Sequence, residues 1–232
     1  MRVLVVDIGG SHIKLAVAGT DRRATVDSTS DTTPADMLRQ LSPTLAGWEY
    51  DVVSIGYPGH VGPSGPIKDP GNLGTGWVGF DFGEALGKPV RIVNDAVMQA
   101  VGAYHGGRML FLGLGTGLGS ALVSERVMVP LELGELRYGD GNLTDTVGRK
   151  GLDRLGEARW REAVLDVVPA LRRALLADYV VLGGGNAARI DPLPEHTECG
   201  GNEDAIEGGR RLWRDAIEPI DSTSSPFWSV VP

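Results

Sequence analysis

Val3-Leu4-Val5-Val6-Asp7-Ile8-Gly9-Gly10-Ser11-His12-Ile13-Lys14-Leu15-Ala16-Val17 opens the chain and decides its fold. Val3 to Ile8 is a short, mostly apolar and β-branched run, which reads as a buried strand. Two glycines and a serine follow as turn residues. Ile13, Leu15 and Val17 then alternate with Lys14 and Ala16, and that period of two marks a second strand. A P-loop or a dinucleotide-binding turn would run into a helix here, so this strand–turn–strand unit is neither. The organisation returns in the second half. Met109 to Leu112 is apolar, Gly113-Leu114-Gly115-Thr116-Gly117-Leu118-Gly119 is turn-rich, and Ser120 to Val123 returns as strand. Two such halves predict two α/β lobes whose glycine turns face one cleft, with the boundary between residues 102 and 108.

The intervening segments fit this plan. Thr33-Pro34 reads as a helix start with Met37, Leu38, Leu41 and Leu45 on one face, Pro43 bending or shortening it. Val52 to Gly56 reads as a buried strand, and residues 57–83 as a long glycine- and proline-rich loop. A loop of that length is functional or disordered, and Trp77, Phe80 and Phe82 favour order. Pro89 to Val93 is a strand ending at Asn94-Asp95, followed by a helix over Ala96 to Tyr104. Later come a helix over Glu157 to Ala177, a strand over Asp178 to Leu182 that enters Gly183-Gly184-Gly185-Asn186, and a helix over Glu203 to Ile217. Ser222 to Pro232 forms a tail or a docking arm.

Composition removes several classes of function. The 232 residues include 34 glycines, roughly twice ordinary usage, which places backbone close to something, commonly phosphate. Thirty acidic against 22 basic side chains leave a net charge of −8, which opposes a nucleic-acid partner or an anionic membrane surface. No apolar run approaches the ~20 residues of a membrane span. Cys199, the one cysteine, makes neither an internal disulfide nor a multi-cysteine zinc site, which suits the cytoplasm. His12, His60, His105 and His196 show no metal-ligand spacing and read as structural or solvent-exposed.

Four groups of residues carry candidate chemistry. In Asp7-Ile8-Gly9-Gly10-Ser11-His12-Ile13-Lys14 the glycine amides can approach an anion, Ser11 can donate and Lys14 supplies charge. Asp7 can hold a hydrated Mg²⁺; the alternative is an ordinary turn with a solvated lysine. Gly115-Thr116-Gly117 forms a second phosphate turn or a plain hairpin. Asp95 is either a base for phosphoryl transfer, where positioning outweighs base strength, or the cap of the helix that follows. Glu132 and Glu135 can accept from vicinal sugar hydroxyls or stand as a solvated acidic patch.

Taken in order, Asp7-Ile8-Gly9-Gly10-Ser11, Gly59, Asn72-Leu73 with Trp77, Asn94-Asp95, Leu114 to Leu122, Glu132-Leu133-Gly134 and Leu182 to Gly185 resemble the ROK-family sugar kinases. Within that family the chain is most similar to the polyphosphate glucokinases, over residues 3–210. The resemblance implies a two-lobed actin-like ATPase fold of ribonuclease-H-like lobes with an interlobe cleft. The lobes would span residues 1–104, with the phosphate turn, sugar loop and catalytic aspartate, and 105–232, with the second phosphate turn and an adenosine-type glycine motif. It also implies a homodimer that phosphorylates a hexose at its 6-hydroxyl with polyphosphate or ATP as donor and Mg²⁺ as cofactor. Asp95 would be the base. Gly59, Asn72, Asn94, Glu132 and Glu135 would line the sugar. Asp7, Gly9, Gly10, Ser11, Lys14, Gly115, Thr116 and Gly117 would face the donor phosphates, with Asp7 positioning Mg²⁺. Gly183, Gly184 and Gly185 would lie near an adenosine.

Two departures from the family matter. The cysteine-rich zinc motif of most ROK kinases is missing between Glu132 and Lys150, so no zinc is expected. Glu135 stands where the polyphosphate glucokinases have histidine, and a carboxylate accepts where an imidazole can donate. A non-catalytic sugar or nucleotide sensor is the alternative function, and an ATPase or scaffold of the wider actin-like superfamily a third. Arg149, Lys150, Arg154, Arg159 and Arg161 form either a polyphosphate groove or an ordinary charged helix face.

Overall fold

A computed structural model describes residues 1–124, 127–201, 203–213 and 229–230. Among these described residues two sheets share one topology. In the first, β1 (Val3–Ile8) and β2 (His12–Val17) form the antiparallel hairpin expected from the opening stretch, with Asp7 opposite Lys14. Strand β3 (Arg23–Asp27) adds to β2. Helix α1 (Pro34–Leu45) begins at a capping box in which Thr33 and Asp36 satisfy each other's backbone N–H groups, and it buries Met37 and Leu41. Strand β4 (Val52–Tyr57), buried throughout, runs parallel to β1. The long loop carries a small ribbon, β5 (Val61–Gly62) with β6 (Gly65–Pro66), and helix α2 (Phe82–Leu86). Strand β7 (Val90–Asn94) lies parallel to β4 and leads into α3 (Asp95–Ala103). The sheet order is β3-β2-β1-β4-β7.

The second sheet repeats the plan. Strands β8 (Arg108–Leu114), β9 (Leu118–Ser124) and β10 (Val127–Leu131) form an antiparallel meander. After a 3-10 turn at Leu133–Glu135 come the ribbon β11 (Arg137–Tyr138) with β12 (Gly141–Asn142) and helices α4 (Leu143–Val147), α5 (Arg149–Leu155) and α6 (Glu157–Ala174). Strand β13 (Tyr179–Gly183) is parallel to β8, and β14 (Thr197–Cys199) is parallel to β13. Helix α7 (Asp204–Arg211) follows, and β15 (Ser229–Val230) pairs with β10. The order β10-β9-β8-β13-β14 reproduces that of the first sheet. Helix α6 lays Trp160, Val164, Val167 and Val168 on Leu110, Leu112, Val180 and Leu182 of this sheet. Each such side chain is worth about 1.5–3 kcal/mol when fully buried.

The two units are locked together by helices that sit between the sheets. Helix α3, which follows the first sheet in sequence, packs Ala96, Val97, Ala100 and Val101 against Met109, Phe111, Ala121 and Val181 of the second. Its Met98 turns the other way, to Val3, Val5 and Val52. Helix α7 packs on β1 and β4. There the Ser54 hydroxyl donates to the Gly209 carbonyl at 2.6 Å and receives the Trp213 indole N–H at 2.8 Å. Helices α3 and α7 meet through glycines, since a β-carbon at Gly102 would overlap the Asp204 carbonyl.

Helix α6 ends at Ala174, three residues short of the expected Ala177, where Leu176 takes a left-handed φ of 53° and the Ala177 N–H turns back to the Arg172 carbonyl. The expected final helix is seen from Asp204 to Arg211, and residues 214–217 lie outside the described residues. So does most of the expected tail over 222–232, β15 excepted. Among the described residues no helix is long and apolar enough to cross a membrane.

Candidate active site

Three parallel strands deliver the acidic residues to one edge. Asp7 lies opposite Gly56, Gly56 opposite Val93, and Tyr57 opposite Asn94, so the carboxyl ends of β1, β4 and β7 open together, as ligand clefts of α/β sheets do. Gly56 keeps the gap between them small. A β-carbon there would stand 3.3 Å from Asp7 Oδ1 and 3.4 Å from the Asp95 α-carbon.

Asn94 performs the capping that local sequence also allowed for Asp95. Its Oδ1 accepts the Val97 N–H at 3.1 Å, while its Nδ2 donates to the Gly59 carbonyl at 3.1 Å. Asp95 Oδ1 accepts the adjacent Ala96 N–H at 2.8 Å. Burial pushes the Asp95 carboxyl up to about 7, with the negative charges of Asp7 and Glu132 adding to the rise and the Ala96 N–H opposing it. Burial raises Asp7 to about 6 against the pull of Lys14 across the hairpin.

Behind these carboxylates lies a cavity of about 450 Å³ whose walls include Asp7, Lys14, Arg23, Gln99, Gly184 and Gly185. Arg23 donates to Glu203 at 2.7 Å from the opposite wall. Gly184, at φ +80°, presses on the Leu114 backbone, where a β-carbon would come within 2.8 Å, and Asn186 N–H donates to the Leu114 carbonyl. The Gly183–Gly185 turn therefore leans on the strand end that enters Gly115-Thr116-Gly117. In that second turn the Gly115 N–H is directed to the carbonyls of Gly113 and Gly117, and the Gly115 carbonyl accepts the Arg149 N–H at 3.0 Å. Thr116 is exposed at its tip. Gly119, just beyond, touches the start of α3, 3.2 Å from Ala96 Cβ if it carried a β-carbon.

The first turn meets the long loop. Gly9 N–H donates to the His12 carbonyl, Ser28 donates to the Gly9 carbonyl at 2.6 Å, and Ser11 is exposed. Asn72 stands directly over Gly10, with Nδ2 2.5 Å from where a β-carbon would be. The expected sugar-contacting and phosphate-contacting residues are thus neighbours here. From the second lobe, Glu132 precedes the 3-10 turn, whose Leu133 N–H donates to Ser120 Oγ at 3.1 Å. Its carboxylate reaches His60 Nε2 across the cleft, at 2.9 Å. Glu135 is exposed at the end of the same turn.

His60, Gln99 and Arg23 are the cleft residues that sequence reasoning missed. Gln99 had a signal, since it lies one helical turn after Asp95 and so on the same face of α3. The basic residues of the second lobe are partly engaged elsewhere: Lys150 lies 3.4 Å from Asp145 Oδ1, and Arg154 donates to the Asp145 carbonyl. Among the described residues no three His, Cys, Asp or Glu side chains gather as a metal cage. Asp7, whose charge raises the proton affinity of Asp95, suits the one-carboxylate hold under which Mg²⁺ keeps its waters and takes phosphate oxygens.

Two matched sheets around a cleft floored by paired aspartates define the actin-like ATPase fold in the form found in ROK-family sugar kinases. Within that class the sequence is similar to the polyphosphate glucokinases. It is 24% identical over 216 residues to the polyphosphate glucokinase of Mycobacterium tuberculosis, covering 82% of this chain and 81% of the relative. The fold superposes on an inorganic polyphosphate/ATP-glucomannokinase from Arthrobacter sp. strain KM with a TM-score of 0.76 and 21% identity, covering 90% of this chain and 96% of that one. A ROK family glucokinase from Streptomyces griseus, solved with glucose and AMPPNP, gives a TM-score of 0.66 at 17% identity, with 90% and 98% covered. No family model matches the sequence.

Proposed function

We propose that the chain is a sugar kinase that transfers a phosphoryl group from polyphosphate or ATP to the 6-hydroxyl of a glucose-like hexose, with Asp95 as the base. The observation that carries this is the convergence of Asp95, Asp7 and the Gly9–Gly10 turn at one strand edge, with Asn72 bridging turn and loop. Similarity to kinases that use these donors supports it.

In this mechanism the acceptor lies between Asn72, Asn94, Gly59 and Glu132, and its reacting hydroxyl faces Asp95. Oδ1 of Asp95 is held by the Ala96 N–H, which leaves Oδ2 to take the hydroxyl proton. As the hydroxyl oxygen bonds to phosphorus, the bond to the donor's bridging oxygen breaks, and proton transfer completes the step late, as a loose transition state allows. Lys14 holds the phosphates from the cavity behind, the Gly9–Gly10–Ser11 and Gly115–Thr116–Gly117 turns face them, and Gly183, Gly184 and Gly185 lie near the adenosine when ATP is the donor. Asp7 would hold Mg²⁺, which would neutralise charge on the donor's leaving group. Both carboxylates ionise more readily beside a cation, so donor binding and base formation are linked. Mg²⁺ as the metal, zinc independence, cytoplasmic residence and a homodimer belong to the same proposal.

Incubation with polyphosphate or ATP, Mg²⁺ and a sugar panel tests it by ³¹P NMR. A sugar 6-phosphate is expected. Donor hydrolysis without sugar phosphate would overturn it.

A further inference from the structure

The contact between His60 and Glu132 joins the two lobes at the acceptor end of the cleft, and its His60 side falls outside every motif that defined the site. His60 Nε2 and Glu132 Oε1 lie 2.9 Å apart although 72 residues separate them. Both side chains stay half open, at 37% and 58% exposure, so a ligand can reach them.

Two anchors hold the partners. The Gly59 carbonyl accepts from Asn94 Nδ2, tying the residue before His60 to the neighbour of Asp95. The His60 carbonyl accepts the Ile67 N–H at 3.1 Å, closing the ribbon that displays the imidazole. On the other side the backbone around Glu132 is fixed by Ser120, whose hydroxyl donates to the Leu131 carbonyl at 2.7 Å and accepts the Leu133 N–H. The Glu132 main chain is therefore set by its own lobe, whereas its carboxylate takes its direction from His60. An exposed glutamate without such a partner samples several rotamers and loses that freedom when it binds.

Resting on the kinase reading above, we propose that His60 is a positioning residue for acceptor specificity. It pins one oxygen of Glu132 so that the other stays aimed at a sugar hydroxyl. The chain Asn94–Gly59–His60–Glu132 sets the distance between that hydroxyl contact and Asp95. An imidazole donor also offsets a cleft end where Asp95 and Glu132 can otherwise only accept when ionised. The ligand class this suits is a polyol that donates a hydroxyl to Glu132.

Steady-state kinetics with acceptor and donor varied separately test this, together with tryptophan-fluorescence titration of glucose in the absence of donor. His60→Ala is expected to raise the acceptor KM and the glucose dissociation constant about tenfold, the loss of one charge-assisted hydrogen bond. Donor KM and thermal midpoint should stay unchanged. His60→Gln, whose amide can still donate to Glu132, should recover most of the loss. In a Glu132→Gln background, His60→Ala should add little, since the two residues act as one unit. An unchanged acceptor KM in His60→Ala, an equal rise in donor KM, or full additivity with Glu132→Gln would overturn the assignment. Sugar binding that depends on His60 in a protein with no turnover would instead overturn the kinase reading alone, and a protein that binds no sugar would overturn both.

Discussion

Gly208 of α7 lies directly on the Met98 carbonyl of α3, so close that a β-carbon at residue 208 would overlap the oxygen. This contact sits between the sheets, where α3 carries Asp95 at its first residue and α7 closes the cavity floor through Ala205 and Ile206. Backbone lies on both sides, so no side chain can rotate away to relieve the clash.

Gly208→Ala is therefore expected to destabilise the fold by about 3 kcal/mol, the upper range for overpacking. Thermal unfolding measures it. Gly47→Ala is the control, because nothing stands within 4 Å of a β-carbon there, and it should change stability by less than about 0.5 kcal/mol. Equal midpoints for the two variants would contradict the helix contact.

The pH–rate profile follows from Asp95. With its carboxyl near 7, the ionised base becomes more abundant as pH rises from 6 to 8. The expected kcat/KM rises with pH, steeply below 7, and levels above it. Because Mg²⁺ and donor favour the ionised carboxyl, the profile is read as kcat/KM for the donor, which reports the free enzyme, and a flat one from pH 5.5 to 8 would contradict the raised carboxyl of Asp95.

Stability should run the opposite way. Asp95 near 7 and Asp7 near 6 keep protons in the folded state that the unfolded chain releases around its ordinary 3.8. The folded state binds more protons between those limits, so stability of the metal-free protein falls as pH rises from about 4 to 7 and then levels. Asp95→Asn removes the larger part, so its thermal midpoint at pH 8 should exceed that of the parent. Added Mg²⁺ should raise the parent's midpoint more than the variant's.

Much of this arrangement is legible in the sequence because it is local. Val3 to Val17 and Met109 to Val123 each write a hairpin in one continuous run, and the strand before Asn94-Asp95 announces the helix behind it. Strand β3 is less legible: Arg23–Asp27 alternates between exposed and half-buried positions at the sheet edge and carries no apolar run. The placement of α3 and α7 is invisible to periodicity, since it depends on Gly102 and Gly208 meeting backbone about a hundred residues away. His60 escaped notice for the same reason, because its partner comes from the other lobe.

Lys14 separates donor from acceptor. It lines the cavity beside Asp7, a cavity whose described walls include neither His60 nor Glu132. Lys14→Met is expected to raise the donor KM about tenfold while leaving the acceptor KM within twofold, as loss of one phosphate-paired cation implies. Separate titrations of the two substrates measure it. An acceptor KM that rises as far as the donor KM would remove Lys14 from the phosphate site.

The most direct measurement is ³¹P NMR of sugar 6-phosphate formed from glucose with polyphosphate or ATP, comparing the parent with Asp95→Asn while glucose binding is followed by tryptophan fluorescence. The expected result is product from the parent, at least a thousandfold less from Asp95→Asn, consistent with loss of a general base, and similar glucose affinity in both. Product formed by Asp95→Asn within tenfold of the parent rate, or donor consumed by the parent with no sugar phosphate, would contradict a kinase that works through Asp95.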